Sequence, residues 1–168
     1  MEVKGLVVGA DAELTGVRRL LTGAVLRSVG RAVDMGAVEL TGEQGEDLAL
    51  HIQCAFRVLH EDQVLLGSRD MTYVRGDAEA DAFDNFATAC DGRAALLSRV
   101  LGGARPKIES VLQNPAGALT LKATRGFSVE VFPDRSATEE SWRAFRRGGE
   151  HFGFPPSLVQ EFAADARP

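Results

Sequence analysis

The chain is short of the residues that most often carry chemistry. In 168 residues there are three histidines, two cysteines, one tryptophan and one tyrosine. Cys54 and Cys90 stand far apart in apolar surroundings, and such thiols are expected to be small buried core residues rather than a disulfide. A surplus of positive charge is also lacking: 19 Lys and Arg face 24 Asp and Glu, for a net charge of −5. Binding to phosphate backbones depends on clustered cations that release counterions, so nucleic acid is not an expected partner. No hydrophobic run reaches the ~20 apolar residues needed to cross a bilayer, which argues against a membrane partner. The opening Met1-Glu2-Val3-Lys4-Gly5-Leu6-Val7-Val8-Gly9 has too short an apolar run for a signal-peptide core. A soluble, cytoplasmic protein is the expectation. Gly5, Gly9 and Gly16 miss the spacing of a dinucleotide fingerprint, and no Gly-Lys-Ser or Gly-Lys-Thr occurs, so no cofactor is expected.

What is present reads as an ordinary globular protein, 45% hydrophobic and 26% charged, at a length suited to one hydrophobic core. The expected fold is a single α+β domain spanning 1–168, with a mainly antiparallel, curved sheet, one main helix over about 82–101 and short flanking helices. Leu14, Val17, Leu20 and Leu21 fall at helical spacing and predict a short helix over 13–22. Strands follow near 24–33, 36–41, 47–59 and 64–68. Phe83, Phe86, Ala87 and Cys90 form one apolar stripe of the main helix and Ala94, Leu97, Val100 and Leu101 another; Gly92 is a potential break and Gly102-Gly103 the expected stop. The last third predicts a strand meander over 107–113, 118–123 and 127–132. A local turn of helix at Thr138 to Arg143 and a short helix over 157–165 close the chain.

The 47–59 segment alternates most strictly. Leu48, Leu50, Ile52, Cys54, Phe56 and Val58 take one face, and Ala49, His51, Gln53, Ala55 and Arg57 the other. His51, Gln53 and Arg57 therefore project together with only alanines between them, as a solvated face or a binding surface. The same alternation separates His51 from Cys54, three residues on, which argues against a shared zinc ion. A hydrolase reading would use Ser68, His51 and Asp70. Leu66-Gly67-Ser68-Arg69-Asp70 lacks the second glycine of a nucleophile elbow, so local backbone bonds are the expected role of Ser68 and Asp70, while Arg69 and Asp70 extend the candidate binding surface. Trp142 and Arg143, with Phe145, Arg146 and Arg147 beyond them, form a second cluster. Trp142 either seals the core or, with Arg143, supplies the residue types enriched in interface hot spots.

Three segments carry a resemblance: Gly30-Arg31-Ala32-Val33-Asp34-Met35; Leu50 to Arg57 leading to Gly67-Ser68-Arg69-Asp70; and Leu119 to Phe132 with Pro133-Asp134 and Trp142-Arg143. The pattern resembles a family of small, uncharacterised bacterial proteins common in actinobacteria, over about Gly23 to Phe154. The general look is also similar, in architecture alone, to the α+β immunity proteins of bacterial toxin systems. Neither resemblance brings catalytic residues with it. The expectation is a non-catalytic binding module that recognises another bacterial protein, immunity-like or accessory, with His51, Gln53, Arg57, Arg69, Asp70, Trp142 and Arg143 as binding residues and neither catalytic nor metal-ligating ones. The alternative is a small enzyme or ligand-binding protein with a sheet-lined pocket around His51, Gln53 and Arg57.

Overall fold

Short runs of alternating apolar and polar residues between turns form strands, and most of this chain folds that way. The computed structural model describes residues 14–76, 79–136 and 138–155; the expected lead-in over 2–8 and helix over 157–165 lie outside the described residues. Helix α1, described over 14–21, packs Val17 and Leu21 into the core. Ten strands follow among the described residues: β1 Val25–Ala32, β2 Met35–Thr41, β3 Asp47–Ile52, β4 Ala55–His60, β5 Gln63–Gly67, β6 Ile108–Gln113, β7 Leu119–Ala123, β8 Phe127–Phe132, β9 Trp142–Arg146 and β10 His151–Phe154. Helix α2, Ala89–Ala104, separates β5 from β6, preceded by a 3-10 turn at Ser68–Thr72. The strands form two five-stranded antiparallel sheets, ordered β1-β2-β3-β9-β10 and β5-β4-β8-β7-β6. The domain is α+β with curved antiparallel sheets, as the composition and patterning predict.

The single strand expected over 47–59 is two strands. The chain leaves the first sheet at Ile52, turns through Gln53 and Cys54, and enters the second at Ala55. Leu48, Leu50, Ile52, Phe56 and Val58 stay buried across the break, because both sheets turn one face to the same core; Cys54, expected to be buried, is only partly so in the crossover, and Ala49, expected outward, is buried. Leu40, Leu50, Ile52 and Trp142 from the first sheet meet Phe56, Val58, Leu121 and Val129 from the second in one cluster. Each such side chain contributes about 1.5–3 kcal/mol on burial. Gly36 shows how close the sheets approach: a Cβ built there would lie 2.5 Å from the Phe56 ring. On the other side of the core, the Trp142 indole Nε1 donates to the Gly117 carbonyl at 2.8 Å, and the Phe154 ring stacks on Trp142 with centroids 6.2 Å apart. Gly117 adopts φ +86° in that turn, a conformation that favours glycine.

The main helix begins seven residues later than the apolar stripe suggests, at Ala89 rather than about 82. Thr88 caps it in a reciprocal pair with Asp91, whose carboxylate accepts from the Thr88 backbone N–H at 3.0 Å. The residues before it are turns, with Phe86 at φ +53°. They are held there by Arg31, whose guanidinium sits 4.1 Å from the Phe83 ring centroid and 4.6 Å from that of Phe86. Gly92 does not split the helix, and Gly102-Gly103 do not end it; the stop is Arg105, in the left-handed region. Cys90, Ala94, Leu97 and Leu101 are its buried residues, and the helix packs on β1. There the Ser98 hydroxyl accepts from the Val29 N–H at 3.1 Å and donates to the Val29 carbonyl at 3.0 Å. Just before Val29, Leu26 donates its N–H to the Pro106 carbonyl at 2.9 Å, stitching the start of β1 to the segment that leads into β6. The helical turn expected at 138–143 is not formed: Trp142 and Arg143 open β9, which pairs with β3.

Candidate functional site

The break at Gln53–Cys54 distributes the residues expected to share one surface. His51 lies on the outward face of the first sheet, where it pairs with Ala37 on β2 and Arg143 on β9. Arg57 lies on β4 in the second sheet, opposite Glu130, and its Nε donates to the Glu130 carboxylate. Gln53 sits in the crossover itself. Trp142 points inward and is 1% exposed, so it belongs to the core and not to a surface. Asp70 caps the 3-10 turn, accepting from the Gly67 N–H at 2.9 Å, while Arg69 on the same turn is exposed.

The outward face of the first sheet gathers aromatic and charged groups around Phe145. Register places Phe145 beside Ala49 on one side and His151 on the other. The His51 ring meets Phe145 edge-on at 4.8 Å, and the His151 ring stacks on it at 5.0 Å. The Arg147 guanidinium lies 5.8 Å from the same ring centroid and bonds both Glu39 carboxylate oxygens at 2.8 Å. Arg147 also pairs with Asp47 at 3.1 Å, and Arg27 with Asp47 at 3.2 Å. Arg143 is held by Glu140 at 2.7 Å. Burial pushes the His51 imidazole below its ordinary 6.5; Glu39 opposes that shift, and Arg147 and Arg143 reinforce it.

The crossover forms a second feature, a cleft of about 560 Å³. Gln53, Cys54, Ser68, Arg69, Asp34 and Asp134 are among its lining residues. Arg135, also in the wall, is engaged with the Gln53 carbonyl and with Glu139 at 2.7 Å. Arg69, Asp34 and Asp134 have no ion-pair partner among the described residues. Ser68 is committed to structure, its hydroxyl accepting from the Phe56 N–H at 3.2 Å. Burial and the neighbouring Asp134 push the Cys54 thiol up to about 12, so it is not a thiolate at neutral pH.

The structure thus brings His51 and Arg143 together on one face, and Gln53 and Arg69 together in the cleft. It keeps these pairs apart, and it places Arg57 and Asp70 in local contacts of their own. Sequence reasoning grouped Phe145 with Trp142 and Arg143 but did not join it or His151 to His51, because β9 and β10 were not recognised and strand register is what unites them; Phe145 itself is buried beneath the two imidazoles. It also missed Asp34 and Asp134 as cleft walls; both follow strand ends, where a short acidic residue reads as a turn. Among the described residues no group of three or more His, Cys, Asp or Glu is placed to hold a metal ion. Compared with family models, with curated proteins and with solved structures, the chain finds no match.

Proposed function

We propose that this domain is a non-catalytic binding module that recognises another protein through the outward face of its first sheet, with His51 and Arg143 at its centre. The observation that carries the reading is the cover over Phe145: the ring itself is 8% exposed, and His51, His151 and Arg147 close over it, so that exposed imidazole and guanidinium groups stand on a packed aromatic base. Arg side chains are enriched among interface hot spots, and this face presents Arg143 on a rigid strand, 42% exposed, with His151 exposed on the next strand. The non-catalytic part rests on what surrounds the nucleophile candidates. Ser68 is tied to the backbone of Phe56, the Cys54 thiol is held protonated, and His51 lies on a face that neither of them shares. The ligand-binding alternative draws its support from the cleft that Gln53 lines, which is roomy enough for a small polar molecule.

Affinity capture from the native host at moderate salt tests the reading. The native chain is expected to retain a defined protein that His151→Ala and Arg143→Ala lose with unchanged melting temperatures. No retained partner, a partner indifferent to both substitutions, or turnover in a broad substrate screen would overturn it.

A further inference from the structure

The crossover cleft lies where four connections of the chain meet at one end of the two sheets. Asp34 comes from the β1–β2 turn, Gln53 and Cys54 from the passage between β3 and β4, Arg69 and Thr72 from the 3-10 turn after β5, and Asp134 from the segment after β8. Loops held by a rigid scaffold are where proteins place ligand contacts, because their side chains escape the packing that fixes strand residues. At about 560 Å³ the cleft falls within the ~300–1,000 Å³ of small-molecule sites. Its floor is apolar, made by Phe56 and Met71, 4% and 9% exposed. Its walls are charged, and their charges do not satisfy one another. Arg135 is engaged by Glu139 and the Gln53 carbonyl, Ser68 by the Phe56 N–H, and the Thr72 hydroxyl by the Arg69 carbonyl at 2.7 Å. That leaves Asp34, Asp134 and the Arg69 guanidinium, which line one concavity yet form no ion pair among the described residues. Asp134 lies near enough to the Cys54 thiol to oppose its ionisation, which places this carboxylate against the crossover.

Opposite charges that share a concavity but stand too far apart to pair can be bridged by a molecule that carries both signs. The balance of charge says which molecule. Two carboxylates face one free guanidinium in the cleft. The neighbouring turn, tied to Val33 because Arg31 donates to both the Val33 and the Phe83 carbonyls, adds exposed Glu79, Asp81 and Asp84. Against them stands Arg75, whose side chain lies along α2 at Gly92. The surroundings therefore favour a net cation, while Arg69 supplies a place for one carboxylate. We propose that the cleft binds a free basic amino acid, its α-carboxylate on Arg69, its two cationic groups shared between Asp34 and Asp134, and its methylene chain over Phe56 and Met71. The cleft is separate from the sheet face built around Phe145, and the inference does not depend on the reading of that face.

Isothermal titration of the native chain with L-lysine at physiological ionic strength tests this directly. Saturable binding is expected, tighter by about tenfold or more than that of norleucine, which lacks the side-chain ammonium, and than that of lysinamide, which lacks the carboxylate. Arg69→Gln should remove the advantage of lysine over lysinamide and leave its advantage over norleucine. Asp34→Asn and Asp134→Asn should each weaken lysine by about tenfold or more, through the loss of a charge-assisted hydrogen bond. All three residues are exposed, so the melting temperatures of the variants without ligand should match that of the native chain. No saturable binding in the millimolar range, equal binding of lysine and norleucine, or affinities indifferent to these substitutions would overturn the proposal. His151→Ala and Arg143→Ala should leave the titration unchanged, so loss of partner capture on the sheet face and loss of the cleft ligand are read separately.

Discussion

Replacing Arg31 with alanine removes the group on which the segment before α2 depends. The guanidinium is almost fully buried, at 2% exposed, and its partner Asp91 is 11% exposed. Deleting one member of a buried ion pair leaves the other charge stranded, a change that costs about 3–5 kcal/mol. Two backbone carbonyls, of Val33 and Phe83, lose their donor at the same time, and two aromatic rings lose a cation packed against them. For a chain of this length the loss corresponds to a melting temperature lower by about 6–20 °C. The pH dependence gives a sharper signature. Burial alone would raise the Asp91 carboxyl above its ordinary 3.8, but the hydrogen bonds from Arg31 and Thr88 outweigh it and hold the group lower. A carboxyl depressed in the folded state stabilises fully above its unfolded value, and that stabilisation is lost as pH falls through the folded one. Urea unfolding of the native chain and the variant at a series of pH values should therefore show a gap that is widest near neutrality and narrows below about pH 4. A loss under about 1 kcal/mol, comparable to removal of the exposed Arg27, would refute the account of Arg31 as a buried hub.

Three further outcomes follow from the same geometry. Phe56→Ala, at a site 4% exposed in the core, should cost roughly 3–5 kcal/mol, while Arg57→Ala next to it, half-exposed and paired with Glu130, should cost about 0.5 kcal/mol; equal losses in denaturant melts would contradict the inward and outward assignment of β4. Trp142→Phe keeps most of the packing but leaves the Gly117 carbonyl without its indole donor, which should lower stability by about 1–3 kcal/mol, and a neutral result in the same assay would mean water takes the donor's place. His51 should titrate by NMR below 6.5 in the folded chain, lower still in Glu39→Gln and higher in Arg147→Gln. The unfolded chain takes that proton more readily, so this residue lowers stability as pH falls through 6.5; a folded midpoint at or above that value would refute the burial that sets it.

The strand meander and the α1 face were legible because their signals are local: period-two alternation at Leu119–Ala123 and Phe127–Phe132 and helical spacing at Val17 and Leu21. The crossover at Gln53 and Cys54 was hidden for a physical reason. Two sheets that close on one core obey the same inward and outward rule, so Leu50, Ile52, Phe56 and Val58 alternate without interruption while their hydrogen-bond partners change. The start of α2 was readable in principle from Thr88 and Asp91, a capping pair, but Phe83 and Phe86 at helical spacing outweighed it. Their ring contacts with Arg31, some fifty residues away in sequence, could not be seen from spacing. The outward cluster depends on the register of β3, β9 and β10, which sets His51 and His151 on either side of Phe145 and which spacing within one strand does not reveal.

Helix α2 does more than cover apolar side chains. The outer margin of β1 is the kind of place where a polypeptide invites an uninvited strand, since unpaired amide and carbonyl groups there template further pairing. Ser98 occupies both such groups of Val29 with one hydroxyl, and the Pro106 carbonyl takes the Leu26 amide. A foreign strand could add along this margin only by prising the helix away, at the loss of the core contacts of Leu97 and Leu101. With both Val29 groups taken by Ser98, this stretch of β1 presents no free backbone template for a further strand while the helix stays docked.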